Sequence, residues 1–127
     1  MSAEAEITHM LDAWAASVRA HDLEGAVRGR SAEIVMFDVP EPLQAKGIDA
    51  YRDTWTLYFR DAGSRRFELL ETHIVAGADV AWVRALLRCT TDDAPAGRLT
   101  MGLRRVDGRW IVEHEHHSFP VPLASPG

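Results

Sequence analysis

His114, His116 and His117 lie within four residues of one another near the chain's end, in the run Trp110-Ile111-Val112-Glu113-His114-Glu115-His116-His117-Ser118. Imidazole has the side-chain pKa closest to neutrality, so a histidine pair suits either proton transfer or metal binding. Strand residues alternate between two faces, which predicts Trp110, Val112, His114, His116 and Ser118 on one side. Ile111, Glu113, Glu115 and His117 take the other. His114 and His116 are thus candidate acid–base residues, with Ser118 placed to orient them. A His-x-His pair also suits a metal, with Asp38 or His73 as third ligand. The further ordered ligands of a zinc site are missing, so neither metal nor cofactor is expected. A plainer role for the pair is to hold its strand by hydrogen bonds. Asp38 is the second candidate: beside Met36 and Phe37, desolvation would raise its carboxyl toward the range of a general base. Its plainer role is to cap the turn at Val39-Pro40.

The elements that carry these residues follow from periodicity. Ile7, Leu11, Trp14 and Val18 recur at spacings of four, three and four, which stacks them on one face of a first helix. Asp22 is an N-cap for a second, short helix from Leu23 to Arg30, weakened by Gly25 and Gly29. Ile34 to Val39 reads as a strand stopped by Pro40 and Pro42, with Leu43 to Lys46 as its short return. After Gly47, a third helix carries Ile48, Tyr51, Trp55, Tyr58 and Phe59 as an aromatic stripe, closed near Gly63. Four strands follow, Phe67 to Val75, Val80 to Thr91, Arg98 to Val106 and Arg109 to Phe119. The last two are joined at Asp107-Gly108, a tight-turn signal. Residues 120–127 are too proline-rich for regular structure.

Helices grouped before a meander predict an α+β fold. The expected form is a cone-shaped barrel, a curved, mostly antiparallel sheet of about six strands wrapped over three N-terminal helices. An apolar cavity would open at its mouth. Residues 1–127 read as one domain.

Charge and composition exclude several classes. A net charge of -5 with scattered arginines is not a nucleic-acid surface. No run approaches the ~20 apolar residues of a membrane span. The acidic start, Met1 to Glu6, lacks the basic and apolar regions of a signal peptide. The single cysteine, Cys89, fits a reducing compartment and reads as a small buried hydrophobe, so a cytoplasmic location is expected.

The chain resembles the nuclear transport factor 2-like superfamily, in particular its SnoaL-like, ketosteroid isomerase-related branch. The resemblance rests on His21-Asp22-Leu23-Glu24-Gly25-Ala26 after the first helix and on Phe37-Asp38-Val39-Pro40. It also rests on Lys46-Gly47-Ile48-Asp49-Ala50-Tyr51, and on Asp107-Gly108-Arg109-Trp110 with His116-x-Ser118-x-Pro120. It implies a catalytic Asp at Asp38, whose separation from Gly47 matches the family pattern. The isomerases' two oxyanion donors, a Tyr and a protonated Asp, fall on Trp14 and Gly102, so their known constellation is not reproduced. The resemblance further implies pairing of two subunits through the convex sheet face. Trp82, Arg84, Leu86 and Arg88 alternate on that face as an interface would, so a homodimer is expected.

The expected function is binding of a small hydrophobic oxygenated molecule, polyketide- or steroid-like, with cofactor-free proton transfer of the isomerase or cyclase type. Asp38, His114 and His116 are the catalytic candidates. Trp14, Phe37, Tyr51, Trp55 and Met101, with Ser118, are the candidate ligand contacts. The alternative is a module that binds a ligand or dimerises without catalysis.

Overall fold

A computed structural model describes residues 1–124. Helix α1 (Ala3–Arg19) starts at Ser2, whose Oγ accepts the Ala5 N–H at 3.1 Å. Glu4 and Glu6 in its first turn and Arg19 in its last complement the helix dipole. Ile7, Leu11, Trp14 and Val18 form the buried stripe that their spacing predicts. Asp22 caps α2 (Leu23–Val27) by accepting the Gly25 N–H at 3.1 Å.

This second helix is shorter than the expected Leu23 to Arg30. Gly29 adopts a φ of 75°, open to glycine at little cost, and turns the chain away. Strand β1 (Arg30–Phe37) therefore begins before the expected Ile34, and Arg30 is a strand residue. Strand β2 (Ala45–Lys46) is the short return, and Gly47 leads into α3 (Ile48–Asp61). Tyr51 and Trp55 of α3 are buried, while Tyr58 and Phe59 are partly so.

Strands β3 (Glu68–Ala76), β4 (Val80–Arg88), β5 (Gly97–Val106) and β6 (Arg109–Ser118) complete the chain. Asp107 and Gly108 supply the positive φ values, 49° and 77°, that the tight β5–β6 turn requires. The six strands form one sheet in the order β2-β1-β6-β5-β4-β3. β1 runs parallel to β6, and every other pair is antiparallel. The sheet stays open, with β2 and β3 as its edges. Val83, Leu87, Leu99, Met101, Trp110 and Val112 supply its inner face, packed with the α1 stripe and Trp55 in one core. This is the α+β architecture that the element order predicts. Among the described residues no helix is long and apolar enough to cross a membrane. Residues 119–124 have no regular structure; the rest of the expected irregular tail, 125–127, lies outside the described residues.

β6 departs from strict alternation. Gly102 pairs with His114, but the next residue, Leu103, pairs with Val112, so Glu113 is one residue too many on β6. A bulge of this kind reverses which side chains face inward. Before it Trp110 and Val112 are buried; beyond it Glu115 and His117 are. His114, His116 and Ser118 therefore do not share the Trp110 face, and the expectation that they do is corrected. They stand on the outer face of the sheet. Gly102 lies in the same outer row, between Trp82 and His114, so a side chain there would not enter the cavity.

Candidate active site

Glu115 is a fully buried carboxylate in an apolar core, which demands partners. Three residues answer. Arg30 Nη2 donates to Oε1 at 3.1 Å from a side chain that is itself only 2% exposed. The Tyr51 hydroxyl donates to the same oxygen at 2.9 Å and accepts from Arg30 Nε at 3.0 Å. His117 Nε2 meets the other carboxylate oxygen, Oε2, at 2.6 Å. Burial pushes the Glu115 carboxyl up, but the Arg30 charge and the bonds from His117 and Tyr51 outweigh it, and the group stays below its ordinary value. Burial pushes the Tyr51 phenol well above its ordinary value, so it stays a proton donor. Trp14 covers the guanidinium, whose carbon lies 4.8 Å from the ring centroid.

With Glu115 ionised, His117 Nε2 carries the shared hydrogen, and in the neutral imidazole Nδ1 is then the nitrogen with the lone pair. Nδ1 makes no hydrogen bond to the protein among the described residues. Trp14 and Trp55 hold the imidazole edge-on at 6.2 and 6.0 Å between centroids. The ring is thus held by Glu115 at Nε2 and by the two indoles at its sides, and it lines a cavity of about 600 Å³.

That cavity lies between the sheet and α3. Its buried floor is Met36, Ala45, Trp55, Phe67, Leu87 and His117. Its exposed rim comes from the β1–β2 loop, the outer turns of α3 and Phe119. Tyr58 and Cys89 stand between floor and rim. Burial, Cys89 and the charge of Asp38 push the Tyr58 phenol up to about 12, so it too remains a donor. Burial likewise keeps the Cys89 thiol protonated.

Of the residues singled out from sequence, Asp38 and Trp55 line this cavity. Asp38 also accepts the Val39 N–H at 2.8 Å, so it caps its turn as well. The other candidates stand elsewhere. His114 bonds the Val35 carbonyl through Nδ1 at 2.7 Å, and both His114 and His116 pack edge-on against Phe37, at 4.7 and 5.4 Å. Ser118 accepts from Arg98 Nε at 3.0 Å on that same outer face. Trp14, Tyr51 and Met101 are core residues behind the cavity rather than walls of it. Among the described residues no three acidic, histidine or cysteine side chains converge as a metal would need. Glu115 and His117 were missed because the bulge inverts their apparent directions, and Arg30 because β1 begins where the second helix was expected to end. One signal was available: no apolar residue follows Val112 on its expected face until the strand ends.

Residues 7–122 match the SnoaL-like domain family. The chain belongs to that family. Among solved structures, this SnoaL-like chain is similar to an NTF2-like protein of unknown function from Pseudomonas putida. The two are 35% identical over 97% of this chain and 92% of that one, with a TM-score of 0.85. A ketosteroid isomerase-like protein from Erwinia carotovora atroseptica is 21% identical over 93% of this chain and 96% of its own, with a TM-score of 0.72. A candidate dehydratase of the NTF2-like family from Streptomyces avermitilis is 14% identical, over 92% and 95%, with a TM-score of 0.76. The last two likenesses show the SnoaL-like fold alone. No curated protein matches the chain.

Proposed function

We propose that this chain binds a small apolar molecule bearing a carbonyl, polyketide- or steroid-like in build, and moves a proton on it without a cofactor. The observation that carries this reading is the Glu115–His117 pair, a buried carboxylate that fixes one imidazole at the wall of an apolar cavity. His117 Nδ1 takes a proton from the carbon α to the carbonyl, and Glu115 stabilises the imidazolium that forms. The Tyr58 phenol donates to the oxygen as it gains negative charge. Returning the proton at another carbon isomerises the substrate; expelling a β-hydroxyl dehydrates it. Isomerase-like and dehydratase chemistry are both named among the structural relatives, and both begin with this abstraction. Asp38, nearer the rim, is the second candidate base.

The test is exchange of α-protons for deuterium in a panel of bicyclic ketones, followed by NMR. Replacing the base, His117→Ala, is expected to slow exchange by about 10²–10⁴-fold. Undiminished exchange in His117→Ala, with loss in Asp38→Asn, moves the base to Asp38. Ketones that bind without exchanging make the chain a binding module, and ketones that do neither sink the reading.

A further inference from the structure

The cavity has a charge character that its apolar floor does not explain. Four carboxylates line it, Asp38, Glu41, Asp53 and Asp61, and no lysine or arginine does. Arg60 pairs with Asp61 through two bonds of 3.0 Å. Among the described residues, Asp38, Glu41 and Asp53 take part in no ion pair, so their charges stay uncompensated beside the opening. Below them stand the aromatic rings of Trp55, Tyr58 and Phe67, and at the rim Phe119. At the floor lies His117, nine-tenths buried, its Nε2 held by Glu115 and its Nδ1 without a protein partner among the described residues. A histidine lies at the bottom, aromatic walls in the middle and anionic groups above.

We propose that the ligand carries a protonated amine: an apolar ring body whose ammonium group rests between Asp38 and Asp53 while its reactive end reaches His117. This rests on the reading of the cavity as the binding site and narrows its substrate class. Three physical terms favour such a ligand. The rim carboxylates attract the cation, and the low-dielectric floor amplifies that attraction over what bulk water would allow. The aromatic faces add cation–π attraction to a charged nitrogen beside them. Against a carboxylate or phosphate ligand the same charges are repulsive, with no basic side chain in the lining to offset them. A small anionic acid is therefore excluded as the substrate, and a neutral analogue is held by the apolar walls alone.

Three isosteric probes test this by calorimetry at neutral pH and low salt: naphthylmethylammonium, naphthylmethanol and naphthoate. The ammonium probe is expected to bind at least about tenfold more tightly than the alcohol, and naphthoate more weakly than both. Added salt is expected to erode the preference. In the double variant Asp38→Asn/Asp53→Asn the ammonium probe falls to the affinity of the alcohol, whose unchanged binding shows that the variant is folded. Equal affinity of ammonium and alcohol for the unaltered protein overturns the proposal and leaves the cavity as an apolar site. Binding of none of the three overturns the cavity reading with it.

Discussion

Arg30 and Glu115 set the terms at the scale of single residues. Removing one partner of a buried ion pair leaves an uncompensated charge, a loss of about 3–5 kcal/mol. Arg30→Met is expected to destabilise the fold by that amount in urea unfolding, and Arg30→Met/Glu115→Leu to recover much of it. The pH dependence changes sign as well. In the unaltered protein the Glu115 carboxyl is held below its ordinary 4.5. Its contribution is therefore present above the unfolded value and lost as pH falls through the folded one. Without Arg30 the burial effect loses its main opponent and raises the carboxyl above the unfolded value. Stability is then retained in acid and lost as pH rises through the raised pKa. Unfolding curves of the variant between acid and neutral pH are expected to show that reversal; a slope of the original sign would mean that Tyr51 and His117 alone keep the carboxylate charged.

At the scale of elements, most of the fold was legible and the site was not. The helical stripe from Ile7 to Val18, the Asp22 cap and the Asp107-Gly108 turn all announce themselves, because apolar spacing and left-handed φ each demand particular residue types. The bulge at Glu113 demands none. Glu113 and His114 are both polar, so an added residue there changes no pattern in composition, only the direction of everything after it. Gly29 hides Arg30 in the same way, because a glycine near a helix end does not say how many residues later a strand begins. Asp38 lines the cavity, because nothing between Ile34 and Asp38 breaks the alternation. The bulge yields its own prediction. Deleting Glu113 restores regular alternation while leaving Glu115 and His117 facing inward. The His117 ring resonances are therefore expected to stay near their original shifts in NMR spectra. Movement of those resonances to exposed-histidine values would show that the bulge does more than add a residue.

For the whole molecule, the outer sheet face is the unfinished surface. Trp82 is 43% exposed, Val75 43% and Phe37 38%, on strands β4, β3 and β1. We propose that two copies pair through this face, which would give Trp82 and the arginines beside it the burial that interfaces favour. Sedimentation of the purified protein is expected to give a dimer, and Trp82→Glu a monomer that still binds its ligand. A monomeric parent protein would refute that assembly. The Arg30–Glu115 bond has a temporal consequence too, because it joins residues 85 positions apart. Its partner strands, β1 and β6, are neighbours in the sheet but close a loop that spans most of the chain. Contacts of such range form late, since the entropy of closing the loop must be met before they stabilise anything. During synthesis Arg30 waits with no carboxylate to meet until the last strand has emerged. The proposed base His117, its partner carboxylate Glu115 and the central strand then arrive together, so a chain cut short before β6 lacks all three.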